Sequence, residues 1–355
     1  DTAFALMDSS AIDRASEIDL VRALRINVLV EEGRLDEALA DDQFIQQNKA
    51  PNGLTQFAAS QAAWMTGDIV RARRLLDGAI EQLSAFDAFN ATPFVRAASA
   101  LLALANGDTE RAKADIEASI VRGGGAGMWD QIWLARAQAW LQVAAGRPHD
   151  GIATMLKGVQ AGIETSHYGW SVLALHDAVA WGAASVVAEQ FRPLRDLIHG
   201  APLMECLADS AIALASENFD STRQHINTLL NLGSRWHAGV VSAGLALALR
   251  ERDHVQARRA ATAALIWLPA GTPQVSAVRE LALSDRRIDV LREALHGRAD
   301  REIADTLFLS VRTVSNHLGA AYASLDLAGR AELLELFAPR GTASPGGRPS
   351  RLPST

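Results

Sequence analysis

The stretch QFAASQAAWMTGDIVRARRLL, residues 56–76, decides how the chain folds. An Ala-rich run ends in a short polar break, Gly67-Asp68, and a small residue, Ala72, follows five positions after the glycine. Ala-rich faces let two helix backbones approach closely. Glycine can take the left-handed residue that ends the first helix, and an Asp beside it can cap the second. The segment therefore predicts a helical hairpin.

The same break recurs at Gly33-Arg34, Gly107-Asp108 and Gly146-Arg147, with weaker versions at Gly182, Asn218 and Arg252-Asp253. The intervals are 34, 40, 39, 36, 36 and 34 residues. The small residue returns as Ala38, Ala112, Gly151 and Ala257, whereas the Gly182 and Asn218 units carry Val187 and Arg223 instead. One hairpin cannot bury its apolar face alone, so neighbours must stack. The expectation is an all-α chain that begins with an α-solenoid of about seven units, an array that resembles tetratricopeptide repeats. Strand signals are nearly absent.

Composition agrees with a folded chain of two domains. Over 355 residues, 49% are hydrophobic and 21% charged, which excludes a mostly disordered or collagen-like polymer. A single cysteine, Cys206, excludes a disulfide framework and a Cys-based zinc site. The most apolar run, Val172 to Ala188, carries His176 and Asp177 and reads as a buried helix rather than a membrane span. The chain starts at Asp1 without a secretory signal, which fits a fragment or a processed product, and a cytoplasmic location is expected. Residues 1–283 carry 24 Lys+Arg against 32 Asp+Glu, so the array is not expected to be a general nucleic-acid surface.

After the array, Pro269, Gly271 and Pro273 interrupt the helical run. The division expected is a repeat domain over 1–268, a linker over 269–282, a second domain over 283–338 and a disordered tail over 339–355. The second domain reads as four short helices. Ser284 can cap the first, with Ile288, Leu291 and Leu295 inside; Asp300 can cap the second, with Ile303, Ala304 and Leu307. Ser310 opens a third that runs to about Leu325, and Ala328 to Ala338 makes the fourth.

Leu283–Leu291, Gly297–Ala304, Arg330-Ala-Glu-Leu333 and above all Leu309–Leu318 (LSVRTVSNHL) resemble the LuxR-type helix-turn-helix. The resemblance implies that residues 300–307 brace a reading helix, 310–325, whose N-terminal half enters the major groove of double-stranded DNA. It assigns Ser310 and Thr313 to phosphate and register, Arg312 to phosphate, and Ser315, Asn316 and Gly319 to the base-facing side. Asn316 is the best single reader, because Asn can pair bidentately with adenine. His317 is either a contact or a packed histidine. Arg330 either binds phosphate or satisfies local carbonyls, and Ser310 caps its helix in either case. Val314, Leu318 and Tyr322 read as core.

Several residues depart from the family's pattern. Arg287 stands where Glu is usual, Ser315 and Gly319 where many members carry Lys, and Ser324 and Asp326 where Lys and Gly are common. Residues 284–338 hold 7 Arg against 9 acidic residues, so a single module should bind DNA weakly. A homodimer on DNA is expected, paired as in the family through the last helix, Leu327 to Phe337. The rival reading is an interaction scaffold whose helix-turn-helix has lost its DNA role.

A helical array ahead of such a module resembles the large MalT-like regulators, in which an ATPase precedes the array and the array receives an inducer or a protein partner. No Gly-Lys pair occurs here, so no phosphate loop ends in Gly-Lys-Ser/Thr. The cluster Gly123 to Gly127 reads as an inter-helix loop. Trp129, Trp133 and Trp140 share a helix face and form either solenoid core or an aromatic wall for a ligand, with Trp170 and Trp181 as further candidates. His176 and Asp177 are adjacent on a helix and point apart, so no metal site is expected. No catalytic motif is present; the expectation is a chain without enzyme activity or cofactor.

Overall fold

The computed structural model describes residues 14–40, 52–123 and 130–337, and over these the chain is helical with no strand. Trp129, Gly124 to Gly127, the start at Asp1 and the tail over 339–355 lie outside the described residues. The array comprises α1 (Arg14–Glu31), α2 (Gly53–Thr66), α3 (Ile69–Ala85), α4 (Thr92–Ala105), α5 (Thr109–Gly123), α6 (Asp130–Ala144), α7 (Pro148–Glu164) and α8 (Tyr168–Asp177). It continues with α9 (Ala184–Arg195), α10 (Pro202–Ala215), α11 (Phe219–Asn231), α12 (Arg235–Leu249) and α13 (His254–Trp267). The partner of α1 starts at residue 35, and a 3-10 turn, Ala178–Trp181, extends α8.

The breaks do what their chemistry implies. Gly33, Gly67, Gly107, Gly146 and Gly182 all sit in the left-handed region, with φ between 77° and 87°. Beside the breaks Asp68, Asp108, Asn218 and Asp253 accept the backbone N–H of Arg71, Arg111, Ser221 and Gln256, capping the second helices. The sixth break falls one residue earlier than the sequence pattern placed it. Glu217, not Asn218, has the positive φ (55°), and five residues on lies Thr222, fully buried, rather than Arg223. In the fifth unit Val187 is buried at the same station. The small-residue rule is strict elsewhere: a Cβ on Gly151 would come within 2.9 Å of the Ala139 carbonyl.

The array curls until its two ends touch. Helix α2 packs on α12 and α1 on α10, and the turn at Gly33 lies against Leu232. The concave side is consequently filled by side chains. Trp64, Trp140 and Trp236, from the second, fourth and seventh hairpins, meet with ring centroids 5.1 to 5.9 Å apart. The Arg136 guanidinium lies 5.2 Å from the Trp64 ring and 5.4 Å from that of Trp133. Trp133 and Trp140 are therefore core, at 1% and 0% exposure, and make no ligand wall. Trp170 packs edge-on against Trp133, and Trp181 is half-buried. The space left between Gln61, Trp64, Met65, Arg136, Trp236 and His237 is about 10 Å³, room for about one water.

Residues 269–282 are not a free tether. Pro273–Val278 forms a 3-10 helix whose Pro273, Gln274, Val275 and Val278 are buried against α6 and α12. Gly271 lies on the turn at Gly107, where a Cβ would come within 2.7 Å of the backbone nitrogen, and Thr272 Oγ1 donates to the Ala105 carbonyl at 3.3 Å. Burial of the two valines holds this segment in the mouth of the ring. It delivers the chain directly to α14 (Asp285–Leu295), α15 (Asp300–Leu307), α16 (Val311–Ser324) and α17 (Arg330–Phe337). Ile288, Leu291, Ile303, Val314, Leu318 and Leu333 form the core of this four-helix unit. No described helix is long and apolar enough to cross a membrane.

Candidate nucleic-acid interface

Helix α15 ends at Phe308, which takes a left-handed φ of 54°, and two residues later Ser310 starts α16. The turn is short enough for α15 to brace α16 directly. The Ser310 hydroxyl accepts the Thr313 N–H at 3.1 Å and shares a second bond with the Thr313 hydroxyl at 2.8 Å. The first amides of α16 have no intrahelical acceptor, and the positive end of the helix dipole lies there, so this end attracts phosphate.

The outward side of α16 is a continuous stripe: Arg312, Ser315, Asn316, Gly319 and Ala323 are exposed at helical spacing. Val314, Leu318 and Ala321 face inward and are buried. Thr313, His317 and Tyr322 are half-buried on the flanks. A Cβ on Gly319 would meet nothing within 4 Å, so this position is open to whatever lies over the helix.

The candidate residues divide into two sets. Exposed Arg312 and Asn316 make no hydrogen bond or ion pair among the described residues and are available to a partner. Ser315 and Arg330 are engaged inside the module. Ser315 Oγ donates to Asp300 at 2.9 Å, and Arg330 donates to the Arg298 carbonyl at 2.8 Å and approaches the other Asp300 oxygen at 3.4 Å. Asp300 thus does not cap α15. The N-cap is Ala299, whose N–H is accepted by the Glu302 carboxylate at 2.7 Å, and Asp300 ties α15 to α16 and α17. Ser284 starts α14 but makes no side-chain cap bond, contrary to the expected cap, and Arg287 in place of Glu cannot accept the N-cap N–H to complete a capping box.

The last helix is largely spent within the chain. Leu333 and Phe337 are buried, and the Phe337 ring lies 6.4 Å from that of Trp267 at the end of α13. Leu334 is half-buried and Leu336 38% exposed, leaving a narrow apolar edge on α17. Two cross-domain residues were absent from the sequence reading: Arg259 on α13 and Arg292 on α14 each reach the backbone of the other unit. Neither carries a local sequence signal, because an arginine on a helix surface has the same pattern wherever it points.

Residues 281–337 match the family described as bacterial regulatory proteins, luxR family, so a LuxR-type helix-turn-helix domain closes the chain. The chain is also similar to a "Putative HTH-type transcriptional regulator" of Mycobacterium bovis, 25% identical over 290 residues that cover 81% of this chain and 26% of that protein. Two proteins of Mycobacterium tuberculosis with the same description match at the same identity and coverage. The chain spans about a quarter of the length of these curated relatives. No solved structure matches it.

Proposed function

We propose that this chain is the DNA-reading end of a bacterial, cytoplasmic transcription regulator, with a helical array that receives a signal and a C-terminal module that binds operator DNA. The observation that carries the reading is the stripe on α16, whose Arg312 and Asn316 are exposed and unpartnered beside a phosphate-attracting helix start. With α16 in the major groove, Asn316 reads a base edge, while Arg312, Ser310 and Thr313 hold the backbone.

The filled ring bears on the signal. Among the described residues, the space between Trp64, Arg136 and Trp236 is only about 10 Å³ and has no room for a small-molecule inducer. The reading therefore favours a protein partner on the outer faces of the array. The module's excess of acidic residues makes one copy a weak binder, so a dimer or larger assembly supplies the affinity.

The rival scaffold reading draws on Asp300, which engages the hydroxyl of exposed Ser315 and the guanidinium of half-buried Arg330. Selection from a random duplex pool, followed by titration at several salt concentrations, separates the two. Enrichment of a paired, inverted motif supports a dimeric DNA reader. A pool that yields no motif, with binding that vanishes at modest salt, leaves the scaffold.

A further inference from the structure

Two arginines cross the boundary between the array and the reading module, in opposite directions. Arg259, on α13, donates from Nε to the Leu325 carbonyl at 2.6 Å and from Nη2 to the Asp326 carbonyl at 2.5 Å, and lies 3.7 Å from the Asp326 carboxylate. These carbonyls close the C-terminus of α16, where backbone acceptors lack intrahelical donors and the dipole favours a cation. Arg292, on α14, returns the contact: Nε donates to the Ile266 carbonyl at 3.2 Å, and Nη2 donates to that of Leu265, at the C-terminus of α13. Each helix end is thus closed by an arginine from the other unit. Between them the Leu283 N–H donates to Thr262 Oγ1 at 3.3 Å.

A rotation of the module would strain both clamps, because they hold carbonyls at the ends of two different helices, α16 and α13. The clamps also leave the reading stripe uncovered: Arg312, Asn316 and Gly319 remain exposed with the array docked. The contact therefore aims α16 without blocking it.

We propose that Arg259 is a positioning residue for DNA reading, through which the last hairpin, α12–α13, sets the direction of α16. The inference rests on the DNA-reading function proposed above. A reading side chain works only when held within about 0.5 Å and 10–20° of its productive geometry, and a module free to swing loses that freedom on binding at the expense of affinity. Any signal that shifts α13 moves the Arg259 guanidinium and, with it, the end of the reading helix.

Two measurements on the whole chain test this. The first compares binding to the selected duplex for the parent, Arg259→Met and Arg259→Lys. Methionine fills the same space without donors, and lysine keeps the charge with a single donor site. The expected result is a loss of about tenfold for Arg259→Met and a smaller loss for Arg259→Lys. The salt slope and the order of base preference should stay as in the parent, because Arg259 touches no phosphate. The second measures the distance distribution between spin labels at Gln224→Cys and Arg301→Cys in a Cys206→Ser background. It should be narrow with Arg259 and broad with Arg259→Met.

Full affinity in Arg259→Met, or a loss accompanied by a shallower salt slope, overturns the positioning role. An unchanged narrow distance distribution overturns the clamp itself, whatever the fate of binding. A parent chain that selects no duplex overturns the DNA-reading function and the reading role together. That outcome is recognisable because the parent fails and not only the variant.

Discussion

Arg136 and Asp177 form a buried pair at the centre of the ring, with Nε and Nη2 of the arginine 2.6 and 3.1 Å from the two carboxylate oxygens. The Trp140 N–H adds a third donor at 2.7 Å, and both charged side chains are at least 95% buried. Burial pushes the Asp177 carboxyl upward, and the guanidinium and indole N–H pull it back. The pair joins α6 to α8 just where the second, fourth and seventh hairpins converge, so it holds the curl of the array rather than a single hairpin.

Removing one partner should be far worse than removing both. Asp177→Leu leaves Arg136 charged among Trp64, Trp133 and Trp140, and is expected to lower stability by about 3–5 kcal/mol. Arg136→Met combined with Asp177→Leu should recover most of that loss, since an apolar pair of similar volume needs no compensation. Urea unfolding of the three proteins reads both numbers. A double variant as unstable as the single would mean that the pair's geometry, not its charge balance, supports the ring.

Two histidines beside this pair make the fold sensitive to acid. His176 is pushed down to about 3 and His237 well below its ordinary range, in both cases chiefly by burial. Each stays neutral in the folded chain at a pH where the unfolded chain binds a proton. Stability is thus fully present above the unfolded value of about 6.5 and falls as pH drops below it, by up to about 1.4 kcal/mol per pH unit for each histidine. His237→Gln should flatten the fall between pH 6.5 and 5, a window above the usual carboxylate range. Melting temperatures across that window decide it; equal slopes in parent and variant would show that His237 is protonated in the fold.

The two unpartnered residues of the reading stripe should separate by kind. Asn316→Ala is expected to relax preference at one base position by about 1–3 kcal/mol. Arg312→Ala should weaken all sequences alike and lower the salt slope by about one unit. Competition titrations with single-base variants of the selected duplex check both. Equal losses with preference unchanged would remove Asn316 from the reading role.

The hairpins were legible because their signal is local: a glycine that must turn left-handed, a capping Asp, and a small residue five positions on. Glu217 shows the limit. It takes a left-handed conformation that nothing in its residue type demands, and the pattern therefore pointed to Asn218 instead. The closure of the ring was not legible, since it accumulates from small rotations between hairpins and brings Trp64 to Trp236 across 172 residues. The reading helix was legible through the resemblance carried by Leu309–Leu318, with Val314 and Leu318 as its inward residues. The engagement of Ser315 and Arg330 by Asp300 was not, because each of these residues also suits an exposed surface.

Two glycines in helices offer the sharpest contrast between packing and propensity. Alanine is the better helix former by about 1 kcal/mol, so each substitution gains that much if nothing else intervenes. On Gly319 a Cβ meets nothing, and Gly319→Ala should raise stability by about that amount. On Gly151 the Cβ would press on the Ala139 carbonyl at 2.9 Å and on Val143 at 2.7 Å. Gly151→Ala must then separate α6 from α7, and overpacking of this kind costs about 1–3 kcal/mol, enough to cancel or exceed the gain. Gly319→Lys extends the test to function: it should keep the helix gain and add one phosphate contact, steepening the salt slope by about 0.9. If Gly319→Lys bound the selected duplex more weakly at every salt concentration, α16 would lie too close to the DNA at that position for a side chain. The open space over Gly319 would then be where the groove itself packs.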